Sequence, residues 1–455
     1  MITFPYGNSD FHAIRTEGKL YLDRTQHIPA LERAGEQLVF LRPRRFGKSL
    51  LLSTLANYYD INRADEFETL FGDLTIGQTP TVEHNRYLVL RWDFSQVSAQ
   101  GDTEALTQNL FNHINQMVNG FRIYYQQYLS STIDIFETDA IASFASLTNA
   151  VKNSGYPLYL LIDEYDNFAN EVLMQIRPTP ERYEALVQSE GILKTLFKAI
   201  KSNASEGKLA RVFITGVSPV VMSDMTSGYN VATNIYLDDE FNGLCGISSA
   251  ELQQLVATLS THCQLSTAET QTTLETLRVF YNGYRFCYDI QQEKVYNPTL
   301  CFYYLRHLQK ACEPPPQILD SNLMMDAGKI RYIASLPNGE AIIRHILDEQ
   351  AELSLDALED RFGIEAVREL QSGEKFMVSL LYYFGVLTIT GRSVLGELVF
   401  SVPNLVIRSL YVEELRKRTL PDARETDTVR HMARAFYQNS RNAPAFRHGD
   451  ISVLC

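Results

Sequence analysis

The first half of the chain alternates short apolar runs with longer stretches of helical spacing. "QLVFLR" (Gln37 to Arg42) fits a strand buried in a sheet, and the "LLLSTLANYYD" that follows soon after is apolar on nearly every face, as for a helix packed between a sheet and another layer. "RYLVLRWDFS" (Arg86 to Ser95), "YPLYLLIDEYDNF" (Tyr156 to Phe168) and "LARVFITGVSP" (Leu209 to Pro219) read as three further strands. Thr103 to Asn153 is mainly helical in pattern. Tyr183 to Ser202 is helical too, with Leu186, Ile192, Leu193, Leu196, Phe197 and Ile200 on one side. Strand and helix in alternation predict an α/β domain on a parallel sheet.

The second half is patterned differently. Helices are expected from Phe241 to about Leu308, broken at "YNGYRF" and "VYNPTL", and "CEPPPQ" (Cys312 to Gln317) marks a turn or boundary. "EKFMVSLLYYFG" predicts a helix, and the alternating runs "VLTITGR" and "GELVFSVP" after it could pair as a hairpin. That order suits a winged-helix-like module and equally a plain α+β packing domain. The tail from Thr419 to Cys455 is polar and arginine-bearing, and its end suggests that a further domain could follow. The expected units are an α/β domain at 1–238, a helical region at 239–330, the winged-helix-like region at 331–418 and the tail at 419–455.

Composition narrows what such a chain does. Of its 455 residues 45% are hydrophobic, enough for a large core, and the formal net charge of −13 argues against coating nucleic acid or an anionic membrane through the overall field. Cys245, Cys263, Cys287, Cys301, Cys312 and Cys455 form no C-x-x-C pair, so reduced thiols are expected rather than a zinc site or a disulfide framework. The N-terminus has no basic and apolar leader and no run is long enough to span a bilayer, so a cytoplasmic location without a membrane partner is expected. No two histidines have metal-ligand spacing, and Trp92 reads as core.

Three stretches carry candidate chemistry. "RPRRFGKSL" links an apolar strand to an apolar helix, the setting in which backbone N–H groups and a helix N-terminus hold an anion. Pro43, Arg44, Arg45, Phe46, Gly47, Lys48, Ser49 and Leu50 are the candidate nucleotide-binding residues. Lys48 would reach the β and γ phosphates and the Ser49 hydroxyl would ligate Mg²⁺. Arg42 stands where the usual G-x-x-x-x-G-K-[ST] pattern has its first glycine. The arginines 42, 44 and 45 are expected to contact phosphate, to pair with acids of a neighbouring unit, or to form a solvated cluster, the first two preferred. "LYLLIDE" delivers Asp163 as a second Mg²⁺ ligand and Glu164 as the residue that polarises the attacking water. Asp166 is expected to cap a helix. "RVFITGVSP" ends in Thr215 and Ser218, either of which could sense the γ phosphate or simply shape a turn. Tyr284 and Arg285 are open to a sensor role and to a packing role.

Together these residues resemble the AAA-ATPase-like family of P-loop ATPases, related to the archaeal ATPase and STAND branches. The resemblance rests on "SDFHAIRTEGKLYLDRTQHIPALE", "FLRPRRFGKSL", "LYLLIDEYDN", "VFITGVSPV", "DDEFNGLCGIS", "FYNGYRF", "VYNPTL" and "VPNLVIRSLY", from Ser9 to about Tyr411. It implies an ATP-binding core with Lys48, Ser49, Asp163 and Glu164 in their usual positions, and makes Arg42 a family trait. Many members also carry a PD-(D/E)XK nuclease domain, whose motif is not found after Tyr411 in this chain.

The expected function is that of a Mg-dependent ATPase, with ATP and Mg²⁺ as cofactors and Glu164, Lys48 and Thr215 as catalytic residues, whose nucleotide state rearranges the C-terminal region. The alternatives are a nucleotide-gated switch or scaffold with little turnover, and a DNA-processing ATPase. The partners expected are a second copy or another protein. Nucleic acid is less favoured, because acids among the arginines from Arg416 to Arg447 balance them as a solvated face.

Overall fold

Strand register brings the candidate loops to one edge of a sheet. The computed structural model describes residues 1–98, 100–167, 191–219, 231–318, 324–335, 339–348, 352–359 and 373–419. The expected helix at Tyr183 to Ser202 is described from Gly191 on; residues 183–190 and the tail from Leu420 lie outside the described residues.

The N-terminal half is built on β1 (Gln37–Leu41), α1 (Lys48–Tyr59), β2 (Leu88–Asp93), α2 (Thr103–Tyr124), α3 (Ala140–Ser154), β3 (Leu158–Asp163), α4 (Ile192–Ser205), β4 (Arg211–Gly216) and β5 (Thr233–Asn234). The five strands form one parallel sheet in the order β2-β3-β4-β1-β5. All six residues of β3 are buried, as are four of the five in β1, which is why these strands read as unbroken apolar runs. Leu41 lies opposite Gly216 and Ile162 opposite Ile214, so the chain leaves β1, β3 and β4 at the same carboxyl edge. Ligands of open α/β sheets bind at that edge.

After the sheet come α5 (Ser249–Cys263), α6 (Thr267–Tyr281), α7 (Pro298–Ala311), α8 (Met324–Ser335), α9 (Gly339–Leu347), β6 (Leu353–Leu355), α10 (Glu374–Tyr383), β7 (Thr388–Arg392), β8 (Leu398–Ser401) and α11 (Leu405–Thr419). β7 and β8 pair antiparallel with a bulge, and β6, too short to show as a period-two pattern, adds a third strand beside β8. The helices α5 to α7 bury a core of their own with Phe4 and Val406, whereas the other buried apolar residues described between Ile330 and Tyr411 pack into the same apolar cluster as the parallel sheet.

One expectation needs correction. Cys263 and Cys312 form a disulfide between the ends of α5 and α7, with Cα atoms 5.3 Å apart. Helix packing joins positions 49 residues apart that no spacing rule links. Cys245, Cys287 and Cys301 are buried free thiols, and Cys455 lies outside the described residues. Among the described residues no helix is long and apolar enough to cross a membrane.

Candidate functional site

The loop between β1 and α1 closes through a left-handed glycine. Gly47 has φ 99°, and nothing lies within 4 Å of where a Cβ would stand, so the N-terminus of α1 faces open space. Lys48 opens α1; its side chain is 3% exposed, and its ammonium lies 3.4 Å from Glu164 Oε1 and 3.5 Å from the Pro43 carbonyl. Arg45 on one side (φ 70°) and Glu164 on the other (φ 53°) also adopt left-handed backbone, strain of the kind that collects at functional sites. The cavity of about 270 Å³ between them is lined by Gly47, Lys48, Ser49, Leu50 and Glu164.

The acid pair is split by its surroundings. The Asp163 carboxylate is 5% exposed and accepts hydrogen bonds from the Ser49 hydroxyl and, at 2.5 Å, from Thr215 Oγ1. Burial pushes Asp163 above the usual carboxylate range despite those hydroxyls. Burial acts on Glu164 in the same direction, but Lys48, Arg44 and Lys329 outweigh it and hold Glu164 below that range.

Other candidates turn away from the cavity. Thr215 is fully buried and its hydroxyl is committed to Asp163. Asp166 is fully buried and accepts from Val217 N, Ser218 N and the Ser218 hydroxyl at 2.8 to 3.0 Å, while the helix it is expected to cap lies outside the described residues. Asp166 thereby terminates β4, and it engages the Ser218 hydroxyl.

The arginines separate. Arg42 contacts neither phosphate space nor an acid; it is 1% exposed and donates to the carbonyls of Leu41 (2.8 Å), Tyr236 (2.7 Å) and Phe241 (2.7 Å). Its guanidinium lies 4.3 Å from the Phe40 ring and 4.4 Å from that of Phe286. Burial lowers it to about 10, so it stays charged at neutral pH. This corrects the preference for phosphate or acid contact: β1 points the side chain into the core, where only carbonyls and rings are in reach. Arg44 donates to Asn167 Oδ1 at 2.6 Å and lies close enough to act on Glu164. The Arg45 carbonyl accepts from Thr299 Oγ1 at 3.2 Å.

Residues outside the loop complete the site. Phe46 is buried edge-on against Tyr284 (4.9 Å) and Phe286 (5.1 Å), which gives "YNGYRF" a packing role around the loop. Arg285 accordingly donates to the carbonyls of Gln292 and Ile389. An apolar slot next to the cavity is formed by Leu20, Leu22, Leu51, Leu244, Pro298 and Phe302. No spacing rule marks these residues, yet each lies within or beside one of the motifs that carried the resemblance, and that clustering was the available signal.

Comparison with known proteins follows the same lines. Residues 5–226, just under half of the chain, match the model of a family described as AAA-ATPase-like, predicted AAA-ATPase. A protein of Azotobacter chroococcum mcd 1, described as an uncharacterized protein in the vnfD 5′ region, is 25% identical over 429 residues, 92% of this chain and 70% of that protein. Among solved structures, the Walker-type ATPase PABY2304 of Pyrococcus abyssi is similar at 13% identity and TM-score 0.47, over 86% of this chain and 96% of its own. The ORC2 protein of Aeropyrum pernix, in ADPNP and ADP complexes, gives 10% identity and TM-score 0.36 over 93% and 97%.

Proposed function

We propose, on the premise that residues 5–226 form an AAA-ATPase-like domain, that the protein binds ATP with Mg²⁺ and hydrolyses it. The observation that carries this is that Lys48, Ser49 and Glu164 line one cavity at the carboxyl edge of the sheet, with Asp163 bonded to the Ser49 hydroxyl. The residues fit the ligand. Gly47 leaves room for an anion at the N-terminus of α1, and the Ser49 hydroxyl and Asp163 carboxylate are the hard oxygen donors that Mg²⁺ takes.

In this reading the backbone of Pro43 to Leu50 faces the phosphates, with Arg44 and Arg45 at the rim, and the Lys48 ammonium turns from Glu164 to the terminal phosphates. Bound Mg²⁺ would offset charge on the phosphate oxygens. Glu164, held ionised by its cations, orients water and accepts its proton. Thr215 acts on Asp163 rather than on the nucleotide, fixing the carboxylate with its hydroxyl. The apolar slot receives the base. The units expected at 1–238, 239–330 and 331–418 would shift relative to one another with nucleotide state.

A second reading, a nucleotide switch with little turnover, is favoured by the Lys48–Glu164 contact, which must open before Lys48 reaches a phosphate. Phosphate release separates the two. Glu164→Gln should keep nucleotide affinity and lower steady-state turnover by roughly 10² or more, the scale of a lost general base. Equal turnover in both proteins would leave only the switch.

A further inference from the structure

The disulfide joins two helices at the ends far from the phosphate loop. α5 and α7 share one apolar core, which includes Leu252, Leu259, Leu300 and Leu308. Cys263 is the last residue of α5, and Cys312 follows α7 in left-handed backbone with φ 55°, its N–H on the Leu308 carbonyl. The 14 residues of α7 put about 21 Å of helix between that end and its first turn. There Thr299 Oγ1 donates to the Arg45 carbonyl at 3.2 Å, and Pro298 and Phe302 line the cavity beside Lys48. At the start of α5, Glu251 is paired with Arg24, and Arg24 and Gly246 line the apolar slot. The bond therefore fixes the spacing of two helices whose first turns frame the loop. It is also within reach of an attacking thiol. Cys312 is exposed, as are Ala311 and Glu313 beside it, and Cys263 is half-buried, whereas Cys245, Cys287 and Cys301 are buried. The Cys263 sulfur lies 3.5 Å from the Leu308 carbonyl, an acceptor for its proton once the bond is open.

We propose that Cys263 and Cys312 form a thiol–disulfide exchange site, worked by a partner dithiol, that sets how firmly α5 and α7 hold the phosphate loop. A thiolate of the dithiol attacks the exposed Cys312 sulfur; the S–S bond breaks, and Cys263 leaves as a thiolate that takes a proton from water. The partner's second thiolate then attacks its own sulfur in the mixed disulfide and releases Cys312, which is protonated in turn. Two electrons pass to the cysteine pair, and the dithiol ends as a disulfide. Reduction uncouples the far ends of α5 and α7, and the constraint that reaches Arg45 through Thr299 relaxes. The inference stands on the helices and the bond rather than on the nucleotide reading. Where that reading holds, nucleotide affinity follows the redox state.

The test uses the full chain in a Cys455→Ser background, so that the pair alone responds. The native protein is equilibrated with glutathione disulfide or with dithiothreitol, alkylated with N-ethylmaleimide and mapped by mass spectrometry. Cys263 and Cys312 should be labelled only after dithiothreitol, with Cys245, Cys287 and Cys301 protected throughout. Amide hydrogen exchange at residues 44–50 and 299–302 should be roughly tenfold faster in the reduced protein, the scale of a lost crosslink in a local opening, and reoxidation should reverse it. Cys312→Ser should exchange like the reduced protein with or without dithiothreitol. Should that variant not fold, the oxidised and reduced parent chains decide. A bond that opens only in denaturant overturns the proposal, and so does equal exchange of the loop in the two states. These readouts need no nucleotide, so a failure of Mg-ATP to bind would remove the proposed function and leave the exchange site standing.

Discussion

Burying a guanidinium is costly unless acceptors and ring faces surround it, and Arg42 meets three carbonyls and two rings, though its Nε finds no acceptor. Two of those carbonyls, of Tyr236 and Phe241, belong to the segment after β5, so the side chain ties the start of the phosphate loop to chain that follows the sheet. Arg42→Met would leave these oxygens buried without a donor. At about 1 to 3 kcal/mol for each orphaned group, the variant should lose about 3 kcal/mol or more in urea unfolding. An unchanged midpoint would show that the loop does not depend on the contact. At this scale the neighbours in the chain single out Lys48, Ser49, Asp163 and Glu164, which the structure brings together. The sequence did not show where Arg42 points, because two of its three acceptors, the carbonyls of Tyr236 and Phe241, lie far along the chain.

Elements were legible in proportion to their length and burial. β1, β3 and β4 read as apolar runs because a parallel sheet covers both faces, β2 at the sheet edge leaves Arg91 exposed, and β5 and β6, with two and three residues, are too short to show a period. The start of α5 joins a local pattern to a long-range contact. Ser248 and Glu251 form a reciprocal cap, and Arg24 brings its fork to both Glu251 oxygens, one at 2.8 Å, and to the Gly246 carbonyl at 2.7 Å. Burial would raise the Glu251 carboxyl, but Arg24 and Ser248 hold it below its ordinary value of 4.5. A carboxylate lowered in the folded state contributes stability that is full above its unfolded value and is lost as pH falls through 4.5 toward the folded one. Glu251→Gln should therefore cost about 2 kcal/mol at pH 7 and progressively less as pH falls below 4.5. A penalty that does not change with pH would assign the loss to packing.

At the scale of the molecule, the phosphate loop is a junction. Phe46 is held by Tyr284 and Phe286, Pro43 by Gly385, and Arg42 by the segment after β5, while the residues from Ile330 onward share the buried cluster of the parallel sheet. In the proposed reading, a nucleotide that alters the loop would act on surfaces that the second half of the chain covers, which would couple it to the C-terminal arrangement. The motifs were visible in the sequence one by one; their gathering around a single loop was not, because it depends on how the two halves pack. The central claim is that this junction is a nucleotide site. It is tested most directly by calorimetric titration of Mg-ATP into wild type and Lys48→Ala: saturable binding to wild type, absent in the variant, is predicted, and equal binding to both would contradict the account.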